Sequence, residues 1–228
     1  MESKVEIIKP FGARIFKLEL LEEVYQKLMD ITDKLIIDKN RKSHGDKLAG
    51  QIKEEIEIDL TVLNDNNLYG YFIDCLRGYI EYCLKSIGAF DPKVHKIYCD
   101  LTSMWFNEMQ PNGEYNPVHY HSGCHVSSTL YLKIPSSNPN RGIKYKKDYD
   151  GNIEFIDRSV APDYLQRPSI GFTPKERTMY MWPSNLLHTV YPFLGDEVRR
   201  SIAWNGTYRL INKETGGLVL GGSPWPKN

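Results

Sequence analysis

The sequence predicts a mainly β protein with N-terminal helices. The expected form is an antiparallel barrel or sandwich, with two long helices packed on one outer face of its sheet. Three observations carry that expectation. From residue 94 to about residue 211, short runs of β-branched, aromatic and apolar residues follow one another closely, with Gly, Pro and Asn between them. Two of those runs alternate in polarity, as half-buried strands do: Val126, Leu130, Leu132 and Ile134 against Thr129, Tyr131 and Lys133, and Arg200, Ile202 and Trp204 against Arg199, Ser201, Ala203 and Asn205. Ahead of residue 94, two long stretches repeat their apolar residues with the helical period instead.

Taken in order, residues 5–16 predict a short strand, with Ile7 and Ile8 ahead of Pro10, Phe11 and Gly12. Residues 18–36 predict a helix, because Leu21, Val24, Leu28, Ile31 and Leu35 recur at steps of three and four, and Glu22 and Glu23 suit the positive end of its dipole. Residues 38–50 are polar and predict a loop or short helix, with His44 an ordinary exposed residue. Residues 54–63 fit a strand or a helix equally. Residues 66–87 predict the second long helix, with Leu68, Phe72, Leu76, Tyr79, Ile80, Cys83 and Ile87 on one side and Cys75 and Cys83 filling core positions. Strands are expected at 101–109, 126–134, 151–157, 169–174 and 177–183, with turn-rich or polar stretches at 135–147 and 158–168. The Gly- and Pro-rich tail, 213–228, is expected to be ordered in part through Leu218, Val219 and Trp225. The whole, 1–228, reads as one domain: a supporting strand and helices over 1–93, a β core over 94–211, and the tail from 212.

Composition excludes some functions. A chain of 228 residues that is 41% hydrophobic can build one sizeable core. Lys+Arg and Asp+Glu number 29 each, so there is no global basic field and nucleic acid is not indicated as a partner. No apolar run reaches the roughly 18 residues of a membrane span, so no membrane partner is expected. The four cysteines form no CxxC pair, and the first residues are charged rather than signal-like. The expectation is a cytoplasmic protein with reduced thiols, in the host cytoplasm if the chain is virus-encoded.

The chemistry gathers in two stretches. Residues 105–135 hold His119, His121 and His125 between two strand-like runs. Residues two apart on a strand share a face, with Cα atoms roughly 6.5–7 Å apart, so His119 and His121 can converge on one metal ion. Ser122 and Gly123 end that geometry and leave the direction of His125 open. Residues 178–207 bring His188 on a short apolar run and then Arg199 and Ser201 on one face of the next. Imidazole suits iron(II), and a non-haem iron site that activates oxygen commonly has two histidines and a carboxylate on one face. Arg199 and Ser201, about one strand from such a metal, would match the carboxylate of a small diacid chelating it. The plainer alternatives are polar histidines on a half-exposed strand, and Arg199 paired at the surface with Asp196 or Glu197. Cys124 and His125 beside His121 also raise zinc, but without the paired cysteines of a structural zinc site.

These residues resemble a known family. Trp105-Phe-Asn107, Gly113 to Asn116, His119-Tyr-His121, Leu130-Tyr-Leu-Lys-Ile-Pro135, Trp182-Pro-Ser184, His188-Thr-Val-Tyr-Pro192 and Arg199-Arg-Ser-Ile-Ala-Trp-Asn205 are similar, in order and spacing, to the iron(II)- and 2-oxoglutarate-dependent oxygenases. Within them the nearest likeness is to a family widespread in phages and bacteria and distantly similar to prolyl hydroxylases. The resemblance spans roughly residues 95–210. It implies a double-stranded β-helix, a jelly-roll or cupin-like barrel, with Fe(2+) held at its open end by His119, His121 and His188. It implies 2-oxoglutarate and O2 as cosubstrates, with Arg199, Ser201, Tyr131 and Asn107 at the 2-oxoglutarate and Trp182, Asn205 and His125 at the pocket. It implies decarboxylation of 2-oxoglutarate to succinate coupled to hydroxylation of a substrate, either a protein side chain or a small metabolite.

His121 departs from the family pattern, whose usual first motif is His-x-Asp or His-x-Glu. Three readings stand: His121 itself ligates, a carboxylate such as Glu114 or Asp100 takes the place, or water fills it. Two functions of other classes also stand. One is a three-histidine cupin-like metalloenzyme that does not use 2-oxoglutarate; the other is a non-catalytic jelly-roll binding module.

Overall fold

The computed structural model describes the backbone of residues 5–8 and, in full, residues 12–136, 149–158 and 168–222. Most of the two connecting stretches expected at 135–147 and 158–168, and Trp225, lie outside the described residues.

The elements in chain order are β1 (Val5–Ile8), β2 (Ile15–Glu19), α1 (Glu22–Ile37), β3 (Glu55–Glu57), α2 (Leu60–Asp65), α3 (Tyr69–Ser86), β4 (His95–Met109), β5 (Asn116–His119), β6 (Val126–Lys133), β7 (Ile153–Ile156), β8 (Ser169–Phe172), β9 (Thr178–Pro183), β10 (Leu187–Val190), β11 (Arg199–Asn212) and β12 (Leu218–Gly221). Several differ from expectation for physical reasons. The single strand expected at 5–16 is two antiparallel strands, β1 and β2, with Gly12 in the connection. The first helix starts at Glu22 rather than Leu18, because residues 16–19 pair with β9. The ambiguous stretch 54–63 is a strand and then a helix. Asp59 divides them, its side chain accepting the Thr61 N–H at 2.9 Å as an N-cap.

Two sheets result. The larger has the order β1-β2-β9-β6-β11-β4-β3, with β12 paired to β11; the smaller runs β5-β10-β7-β8. From β4 to β11 the chain passes from one sheet to the other at each step, except between β7 and β8, which both lie in the smaller. That winding makes the double-stranded β-helix, β4 to β11. The alternation expected of β6 in polarity is not one in burial: Val126 to Leu132 are all buried, because both faces of the large sheet are covered.

The outer face carries the helices. Leu28 of α1 and Phe72 and Leu76 of α3 pack in one apolar cluster with Phe106, Leu130, Ile202 and Trp204. Gly206 allows that approach: a Cβ there would come within 2.5 Å of Leu76 Cδ2. An ion network ties α1 down. Arg200, buried, donates to both carboxylate oxygens of Glu108 at 2.5 and 3.0 Å, and also bonds Thr32 (3.1 Å) and Asp33 of α1. The inner face belongs to a second cluster, in which Tyr131, Tyr180 and Trp182 of the large sheet meet Ile153, Phe155 and Val190 of the small one. No helix among the described residues is long and apolar enough to cross a membrane.

Candidate metal centre

The two sheets face each other across a cleft, and the histidines enter it from the smaller sheet. β5 and β10 pair antiparallel with His119 and His188 as Cα partners, so the two side chains leave the same face side by side. β5 ends at His119; His121 lies just beyond it, its N–H donating to Ser184 O at 2.9 Å. The i, i+2 relation still aims His121 at the other two. The ring centroids of His119 and His188 are 4.2 Å apart, and His121 is 5.2 Å from each. One ligand atom from each ring can be chosen so that all three lie within 4.8 Å of one another.

The chain orients these rings itself. His119 Nδ1 is 2.7 Å from Pro117 O and His188 Nδ1 is 2.9 Å from Leu186 O. A carbonyl only accepts, so each Nδ1 carries the proton and each Nε2 keeps its lone pair. Burial holds all three rings neutral. It pushes His121 down to about 3, with His119 adding to the effect, pushes His188 well below 6.5, and lowers His119 against the pull of its own carbonyl bond. Three neutral imidazoles with converging lone pairs are a donor set that a divalent transition metal accepts.

Around them lie Trp105, Asn107, Asn116, Trp182, Ser201 and Glu55, among the residues that line the cleft. Trp182 stands edge-on to His188 at 4.9 Å. Ser201 and Asn107 are Cα partners on β11 and β4, in the sheet opposite the histidines. Arg199 and Ser201 therefore face the cluster across the barrel, not from a neighbouring strand. Arg199 is only 2% exposed, which removes surface pairing with Asp196 or Glu197. Its guanidinium lies 5.0 Å from the Tyr131 ring centroid and 3.7 Å from Met109 Sδ, and its Nε has no hydrogen-bond partner. Burial pushes the guanidinium pKa down, partly offset by Tyr131. Arg199 lines an adjoining hollow with Ile134, Asn152 and Phe193. Tyr131 is fully buried, its hydroxyl without a partner.

Two residues expected at the pocket are placed elsewhere. Asn205 accepts from Ser127 Oγ at 2.8 Å and donates to Ser103 Oγ at 3.3 Å, in the seam between strands. His125 packs against Tyr208 and accepts its N–H at 3.3 Å, because Gly123, with φ +74°, turns the chain away after His121. Neither proposed carboxylate joins the histidines. Glu114 accepts the N–H groups of Lys53 (3.1 Å) and Gln110 (2.7 Å), and Asp100 is exposed beside Arg209. Among the described residues, the group able to hold a metal is the three histidines alone. His44 reverses expectation: it is buried, stacked on Trp105 at 4.9 Å, with Glu57 3.6 Å away.

A double-stranded β-helix with a three-histidine cluster between its sheets defines a class: cupin-like barrels with a donor set that could hold a metal. Residues 103–205, a little under half of the chain, match the family described as "Putative 2OG-Fe(II) oxygenase". Similar solved structures include a prolyl-4-hydroxylase of Pseudomonas putida, 15% identical, covering 84% of this chain and 91% of that one, with a TM-score of 0.50. A prolyl hydroxylase of Trichoplax adhaerens, in complex with a hypoxia inducible factor oxygen degradation domain peptide, is 15% identical over 88% of this chain and 82% of that one, TM-score 0.51. HygX of Streptomyces hygroscopicus, with nickel and 2-oxoglutarate bound, is 11% identical over 87% and 83%, TM-score 0.50. At these identities the likeness shows the fold. No protein of curated function matches the sequence.

Proposed function

We propose that this chain is a non-haem iron enzyme that couples decarboxylation of 2-oxoglutarate to hydroxylation of an organic substrate. The observation that carries the proposal is the buried guanidinium of Arg199, its Nε without a hydrogen-bond partner and with no carboxylate paired to it among the described residues, on the inner face that also holds Ser201, across from three neutral imidazoles. A charge buried without a counter-charge is costly, and a carboxylate supplied by a ligand relieves that cost. His119, His121 and His188 would hold the iron through their free nitrogens. Bound iron supplies the activation of oxygen. Arg199 and Ser201 would take the far carboxylate of 2-oxoglutarate, with the Tyr131 ring fixing the guanidinium plane and Asn107 and Trp182 shaping the space between. His121 would stand where related sites use a carboxylate, so iron held by this set carries one more positive charge. The 2-oxoglutarate bound in HygX and the peptide bound to the Trichoplax enzyme make that cosubstrate, and a protein side chain as one substrate class, reasonable extensions to this chain.

The absence of a carboxylate from the cluster among the described residues favours one second reading, a three-histidine metalloenzyme that does not use 2-oxoglutarate. Anaerobic addition of iron(II) and 2-oxoglutarate decides between them through the weak visible charge-transfer band of the chelate. Wild type should develop the band, and His121→Ala and Arg199→Ala should both weaken it. No band in iron-loaded wild type rejects the cosubstrate and leaves the second reading. A band that survives His121→Ala moves the third ligand elsewhere.

A further inference from the structure

Among the described residues, the cleft contains one ionisable carboxylate that the proposed chemistry does not use. Glu55 belongs to β3, an added strand on the edge of the large sheet and outside the family-matched segment, paired so that Glu55 faces the same way as Asn107. Ile56 packs into the helical cluster, so its neighbour Glu55 is turned inward. It is 4% exposed, lines the cleft with the three histidines, and its Oε1 has no hydrogen-bond partner. Two further acceptors stand with it. Asn107 Oδ1 is also buried and unpartnered, and Asn116 Oδ1 and Glu55 Oε1 approach the same point, 2.6 and 2.3 Å from where a Cβ on Gly50 would lie. The chain keeps that place free of a side chain. Among the described residues, no Lys or Arg lines the cleft.

Burial pushes the Glu55 carboxyl up to about 7, with Glu114 adding to the effect. A carboxylate that costs this much to ionise, beside an Asn107 oxygen that also lacks a donor, is matched by a ligand rich in N–H and positive charge.

We propose that Glu55, with Asn107 and Asn116, is the recognition site for the primary substrate and selects one bearing a cationic nitrogen, an amine or a guanidinium, beside the histidine cluster. This rests on the oxygenase reading for the word substrate, but the binding site itself does not require it. The group that reacts would sit toward the histidines and the cation toward β3, so β3 sets specificity while the barrel sets chemistry.

Trp105 and Trp182 line the same cleft, and their fluorescence reports occupancy without turnover. The test titrates the full chain, with and without iron(II) and 2-oxoglutarate under nitrogen, with butylamine and agmatine, and with butanol as the uncharged control. Wild type should bind both cationic probes at least tenfold more tightly than butanol. Glu55→Gln should lose that preference while keeping the visible iron–2-oxoglutarate band. Equal binding of charged and uncharged probes by wild type overturns the proposal whether or not the variant folds. A preference that survives in folded Glu55→Gln also overturns it. Loss of the visible band in Glu55→Gln would make the residue a metal ligand and overturn it too. A wild type that prefers the cations but shows no band keeps this site and rejects the 2-oxoglutarate reading alone.

Discussion

At the scale of single residues, proton binding in the cleft runs in two directions. His121 is held down to about 3 and His188 well below 6.5, while the same groups in the unfolded chain titrate near 6.5. Between those values the unfolded chain binds more protons, so metal-free stability should fall as pH drops from 6.5 toward 4. Glu55 works oppositely. Its folded carboxyl sits at about 7 against a usual 4.5, so its contribution is lost as pH rises through 4.5 to 7. Keeping it ionised above that window costs on the order of 3 kcal/mol. Glu55→Gln should therefore raise the metal-free melting temperature at pH 8 and leave it nearly unchanged at pH 4.5, which thermal scans at the two values will show. Little of this could be read in the sequence. His119, His121, His188, Arg199 and Ser201 were legible because their order and spacing are unusual for surface groups. Glu55 was not: in Glu-Glu-Ile-Glu-Ile-Asp, four acids look like a solvated face, and only the three-residue pairing with β4 turns one of them inward.

At the scale of elements, the join between α1 and the barrel depends on Arg200. Its guanidinium bridges Glu108 of β4 and Asp33 of α1, both partners held above a buried floor. Removing the cation leaves Glu108 largely buried without its charge partner, so Arg200→Ala should cost about 3–5 kcal/mol in urea unfolding. Asp33→Ala should cost much less, because Asp33 is half exposed and the Glu108 pair remains. Gly206→Ala should cost about 1–3 kcal/mol by driving Leu76 away from β11, with partial recovery in a Gly206→Ala, Leu76→Val double variant. The helices themselves were legible, since their stripes are long enough for periodicity to speak. Their starts were not, because residues 15–19 are apolar enough for either state, and the bare edge of β9 decided for strand.

At the scale of the whole molecule, the metal and cosubstrate should act as ligands of the folded state alone. At a hundredfold excess over its dissociation constant, each should add about 2.7 kcal/mol of stability. For a chain of this size that is a rise of roughly 5–10 °C per ligand, measured anaerobically by calorimetry. Arg199→Ala should keep the increment from iron(II) and lose that from 2-oxoglutarate. The fold class was legible from strand density and turn residues. The division into a sheet of eight and a sheet of four was not, because it depends on which strands find partners beyond the barrel, β1, β2, β3 and β12, and pairing across such distances leaves no local mark.

Arg199 and Arg200 are the same residue type side by side, one lining the hollow beside the cleft and the other bonded to the first helix. A slip of β11 by one position would still offer a guanidinium to each side. What forbids it lies behind the cleft: Ile202 and Trp204 would trade an oily interior for polar surroundings, losing about 1.5–3 kcal/mol each. The address of Arg199 is thus written on the far side of its strand. Substitutions there, remote from any ligand, should weaken 2-oxoglutarate binding as Arg199→Ala does.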